Sequence, residues 1–68
     1  MKVKIKKEVL KDYLLKHNIS QEQFSLECGL HEGTISLILT PRVTVGAKVR
    51  QAIMNKTGLS WEHLFEEL

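Results

Sequence analysis

Ser20-Gln21-Glu22-Gln23-Phe24-Ser25-Leu26-Glu27-Cys28-Gly29-Leu30-His31-Glu32-Gly33-Thr34-Ile35-Ser36-Leu37-Ile38-Leu39 is the stretch whose reading decides the fold. Ser20 and Gln23 form a capping box, in which the serine oxygen accepts from the Gln23 backbone N–H and the glutamine side chain reaches back. A helix therefore starts at Gln21. Phe24 and Cys28 lie one turn apart and face inward, leaving Leu26 outside. Gly29 ends this helix, because a turn there needs a positive φ at no steric cost. Beyond Leu30, the segment Glu32 to Leu39 places Ile35, Ile38 and Leu39 on one helical stripe, with Glu32, Gly33, Ser36 and Leu37 outside it. The core of the reading is thus two short helices joined by a glycine turn.

Upstream, Val9, Leu10, Tyr13, Leu14 and His17 recur at helical spacing from about Lys7, and Asn18 suits the left-handed residue that closes a helix. Before them, Met1 to Lys6 alternates lysine with Val3 and Ile5, the period of a half-buried strand; it reads as a basic arm or a short edge strand, since a lone strand needs a partner. Downstream, Pro41 stops the second short helix and Thr44 is placed to cap another over about Val45 to Lys56, with Val45, Val49, Ala52 and Ile53 inward. Gly58 closes it. Ser60 then caps a last helix that Trp61, Leu64 and Phe65 lock onto the rest. The expected fold is all-α: one domain over 1–68, a compact five-helix bundle.

With 68 residues, the chain has room for a single small core, of the size class that buries about 60% of the unfolded surface. Apolar residues at 43% and charged residues at 26% argue against disorder and against a coiled-coil rod. No apolar run approaches the roughly 18 residues of a membrane span, and no apolar stretch follows the basic start as a secretory signal would require. A single cysteine, Cys28, excludes an internal disulfide and zinc sites built on paired cysteines. His17, His31, His63 and Cys28 share no metal-ligand spacing, and no phosphate loop or nucleophile motif is present. No metal, cofactor or enzymatic activity is expected.

The net charge is only +2, yet its layout is uneven. Lys2, Lys4, Lys6, Lys7, Lys11 and Lys16 crowd the first quarter, Arg42, Lys48, Arg50 and Lys56 form a second group, and Glu62, Glu66 and Glu67 make the end acidic. Two basic regions of this kind read either as an electrostatic footprint for phosphates or as an ordinary solvated surface.

The two short helices and their glycine turn make a helix-turn-helix, helices 2 and 3 of the five. Here the chain resembles the lambda-repressor-like superfamily of phage repressors and Cro proteins. The resemblance runs from Ile19-Ser20-Gln21 through Gly29 to Thr34-Ile35-Ser36, then to Leu59-Ser60-Trp61-Glu62-His63-Leu64-Phe65. Gly29 to Ser36, followed by Pro41-Arg42-Val43-Thr44, also looks like the headpiece of Lac-type repressors. The resemblance implies a sequence-specific DNA-binding regulator of a phage or prophage, cytoplasmic and at the nucleoid of a bacterial host. Its partners would be a double-stranded operator and a second copy of the chain.

Carried over residue by residue, the resemblance puts a phosphate at Gln21, base edges at Glu32, Gly33 and Leu37, and phosphates near Thr34 and Ser36. Arg42 and Lys48 are phosphate-holding candidates of ordinary chemistry, and His31 stands where the family places a serine or threonine cap; protonated, it too can meet a phosphate. Several of these residues depart from the usual pattern. Glutamate accepts from cytosine and leucine touches a thymine methyl, but the arginine or glutamine that donates bidentately to a purine is missing. Leu14 and Leu39 occupy positions where many members pair an arginine with a glutamate. Their joint replacement exchanges a buried ion pair for packed hydrophobes. Leu26 and Leu37, both outward, suit a protein interface as well as DNA, so a second reading stays open: an antirepressor that masks a partner repressor through helices 2 and 3.

Overall fold

Val3 and Ile5 are almost fully buried, and the backbone that carries them finds its partner at the far end of the chain. In a computed structural model, which describes residues 2–68, the order is β1 (Val3–Ile5), α1 (Lys7–His17), α2 (Gln21–Glu27), α3 (Thr34–Ile38), α4 (Ala47–Thr57), α5 (Trp61–Leu64) and β2 (Phe65–Glu67). β1 and β2 are antiparallel, with Val3 opposite Glu67, Lys4 opposite Glu66 and Ile5 opposite Phe65. The fold is therefore five helices with a two-stranded sheet, and the all-α expectation is corrected. Trp61, Leu64 and Phe65 fit a helical stripe, but the helix stops after one turn and Phe65 turns extended, at φ −126° and ψ 162°. A buried β1 with no neighbour would leave its N–H and C=O groups unpaired, and the extended tail supplies their partners while Phe65 enters the core.

The other edge of β1 is also used. Val45 N–H donates to the Val3 carbonyl there at 2.7 Å, whereas Lys6 N–H, donating to the Leu64 carbonyl at 2.7 Å, extends the ladder on the β2 side. The Val45 bond explains a second correction: Thr44 caps nothing, Val45 lies outside α4, and the helix starts at Ala47 on Gly46. The β-branched run Val43-Thr44-Val45 favours extended backbone, and Val45 is buried there against β1.

α1 closes at Asn18, left-handed at φ 55°, with Asn18 N–H on the Leu15 carbonyl and Ile19 N–H on the Leu14 carbonyl. One core gathers Leu10 and Leu14 of α1, Phe24 of α2, Ile35, Ile38 and Leu39 around α3, Ile53 of α4, Leu64 of α5, and Val3, Ile5, Val45 and Phe65 from the sheet and its flank. Leu14 and Leu39 are both buried in it. No helix among the described residues is long and apolar enough to cross a membrane.

Candidate nucleic-acid interface

α2 and α3 are held together by three local devices. Ser20 caps α2 by accepting the Gln23 N–H at 3.0 Å, but Gln23 does not reach back; its side-chain amide donates forward to Glu27 at 2.9 Å. Only half of the expected capping box forms. At the other end Gly29 is left-handed at φ 76°, its N–H on the Leu26 carbonyl and the Leu30 N–H on the Ser25 carbonyl, the paired bonds of a Schellman turn. The third device is Ser25, fully buried, whose hydroxyl accepts the Ile35 N–H at 3.1 Å. Ile35 lies in the first turn of α3, where N–H groups have no partner within the helix. α3 is thus capped from the flank of α2, which fixes the two helices relative to each other. Sequence reasoning passed over Ser25, although it sits next to Phe24 and one turn before Cys28 on the inward face.

α3 itself is shorter than expected. It covers Thr34–Ile38, so Glu32 and Gly33 lie in the turn before it and are not on its outer face. His31 organises that turn: its Nδ1 accepts the Gly33 N–H at 3.3 Å and its carbonyl accepts the Thr34 N–H at 3.0 Å. While Nδ1 accepts in this way, the ring nitrogen left to donate is Nε2. Gly33 has φ −88°, and a Cβ built on it would meet nothing closer than His31 Nδ1 at 3.8 Å. The fold therefore does not require glycine at this position.

His31, Glu32, Gly33, Ser36 and Leu37 are exposed, while Thr34 is half-buried. They form one open surface over the turn and α3. Gln21, half-buried, begins α2. Leu37 is 59% exposed and Leu26 53%, as the helical periodicity predicts. Leu15, at 79%, is a further exposed leucine on α1.

Arg42 and Lys48 are both exposed and both placed at local cost. Arg42 has φ 77°, in the left-handed region that disfavours side chains with a Cβ. Lys48 stands in the first turn of α4, where the helix dipole disfavours a cation and where neither an acidic residue nor a side-chain cap compensates. Arg50, by contrast, is committed to the fold, its guanidinium donating to the Val45 carbonyl at 3.1 Å.

Behind this surface, Lys56 of α4 meets Glu27 of α2 at 2.8 Å. The hydrogen bond from Lys56, and less so the one from Gln23, lowers the Glu27 pKa, and the same contact raises that of Lys56. Burial pushes the Cys28 thiol above its ordinary value of 9.0, the opposite of what a nucleophile needs. A groove of about 570 Å³ lies apart from these residues, between α1 and the start of α5, with Tyr13 and His17 stacked in its wall at 4.1 Å. Among the described residues no cluster of three or more His, Cys, Asp or Glu is arranged to hold a metal ion. Compared with protein-family models, with curated proteins and with solved structures, the chain matches none.

Proposed function

We propose that the chain is a small sequence-specific DNA-binding transcriptional regulator of the phage repressor or Cro type within the lambda-repressor-like superfamily. The observation that carries this reading is the α2–Gly29–α3 unit, locked by the Ser25–Ile35 hydrogen bond, with Ser36 and Leu37 on the outward side of its second helix exposed among the described residues. In this reading α3 enters the major groove. Leu37 meets a thymine methyl, Glu32 accepts from a cytosine amine, and side-chain-free Gly33 lets the backbone approach the base edges. Gln21, Thr34, Ser36 and the Nε2–H of His31 serve phosphates, as do Arg42 and Lys48. The costs borne at Arg42 and Lys48 support this, because strained or dipole-opposed placements persist where a partner compensates for them.

A five-residue helix is only about 7.5 Å long and faces about two base-pair steps, so one copy reads little sequence. Two copies on half-sites about 34 Å apart would restore specificity. The reading assigns the chain no reaction and no cofactor, and places it in the cytoplasm at the nucleoid of a bacterial host.

Exposed Leu26 and Leu37 favour a second reading, an antirepressor that covers a partner repressor with the same two helices. Fluorescence anisotropy against duplex DNA from upstream of the chain's own operon, with and without the neighbouring repressor, separates them. On DNA, Leu37→Ala costs about 1 kcal/mol or less, since only a methyl contact is lost. In a protein pocket the same change costs about 2 kcal/mol or more. Specific binding to a two-half-site duplex supports the first reading. No DNA binding, together with a repressor complex that Leu37→Ala abolishes, establishes the second.

A further inference from the structure

Two segments of the chain carry no acidic residue: Met1 to Lys7, and Gly33 to Trp61. They are far apart in sequence, yet the hydrogen bond from Val45 N–H to the Val3 carbonyl seats one directly against the other. Val3, Ile5 and Val45 are all buried at this junction, so the alternation of β1 turns Lys2 and Lys4 outward. Arg42 and Lys48 each lie three residues from Val45, within about 11 Å of chain, comparable to the roughly 8–10 Å over which salt screens charge. Lys6 stays apart, its amine donating to the Glu62 carbonyl at 2.9 Å. Glu66 faces Lys4 across the sheet, but no ion pair closes between them.

We propose that Lys2 and Lys4 join Arg42 and Lys48 in one phosphate-binding band, running from the loop after α3 onto β1, that holds duplex backbone flanking the bases read by α3. This rests on the DNA-binding reading above. The band is built into the sheet: the backbone that carries Lys4 is fixed by β1 pairing, and that of Lys2 by the Leu68 N–H on its carbonyl, before any ligand arrives. Because each strand carries one phosphate per about 3.4 Å of helix axis, cations spread over this distance can meet more than one of them.

The test is fluorescence anisotropy of the full chain on an operator duplex across a salt series. For the Lys2→Gln/Lys4→Gln double variant, the slope of log Kd against log salt should become shallower by about 1–2 units, with binding at low salt weakened about tenfold and converging on wild type at high salt. Lys2→Arg/Lys4→Arg should retain the wild-type slope. Glu66→Gln removes the one acid beside Lys4 and should tighten binding several-fold at low salt, a gain that a merely structural role for β1 would not produce. Lys16→Gln, on α1 beside Asp12, should leave the slope unchanged. If the double variant loses its cooperative thermal unfolding, the single Lys2→Gln, outside the strand, and Glu66→Gln carry the decision. A wild-type slope in the lysine variants with no gain in Glu66→Gln overturns the band while the DNA reading stands. If the wild-type chain binds no duplex at moderate salt, both fall.

Discussion

Arg42 holds a backbone conformation that glycine would adopt without cost, and it is exposed, so its side chain contributes no packing that offsets the strain. Arg42→Gly should therefore raise stability, by about 1 kcal/mol or less once the greater freedom of glycine in the unfolded chain is set against the relief. The urea midpoint measures this gain. On the proposed DNA-binding reading, duplex affinity should fall in the same variant, and a variant that gains stability while binding DNA as well as wild type would remove Arg42 from the proposed interface. Ser25→Ala tests the opposite kind of residue. It leaves the Ile35 N–H buried without an acceptor, at a cost of about 1–3 kcal/mol in chemical denaturation. Neither role is legible in the sequence: arginine gives no sign of a left-handed φ, and a serine beside Phe24 looks like a tolerated helix residue until its partner ten positions on is known.

α2 and α4 share one charged contact, Glu27 with Lys56, and its two pKa shifts define a pH window. Glu27 is lowered in the fold, so its contribution is fully present above its ordinary value of 4.5 and is lost as pH falls through the folded value. Lys56 is raised, so its contribution is present below 10.5 and is lost as pH rises through the folded value. The Tm difference between wild type and Lys56→Met should accordingly be constant between these limits and shrink beyond both; a difference that persists into acid would mean that the pair does not carry it. Elements governed by neighbouring residues are where sequence reading succeeds. The α2 start at Ser20, the turn at Gly29 and the close of α1 at Asn18 all depend on side chains within a few positions. It misjudges α3 and α4 by two residues at their starts, where a hydrogen bond from Gly33 N–H to His31 Nδ1 and another from Val45 N–H to β1 override the apolar stripe.

The whole molecule, 31 by 21 by 20 Å, is organised around a sheet that the sequence conceals. Phe65-Glu66-Glu67 is too short to show a period of its own, and Trp61, Leu64 and Phe65 satisfy a helical spacing equally well. The choice of strand is made by β1, more than fifty residues away. Phe65 is 1% exposed and belongs to both the sheet and the core, so Phe65→Ala should cost about 3–5 kcal/mol, a large part of the stability of so small a domain. Thermal unfolding followed by circular dichroism reads this; a loss under about 1 kcal/mol would mean that the tail is peripheral. The open edge of β2 carries Glu66 and Glu67, whose charges discourage a second copy from pairing there. The pairing of the first strand with the last also sets an order of events during synthesis. β1 and α1 are made first, but β1 can gain neither neighbour until Val45 and then Phe65 to Glu67 have been added. At roughly 5–20 residues per second, the apolar face of Val3 and Ile5 waits for several seconds, kept in solution by the lysines that alternate with it.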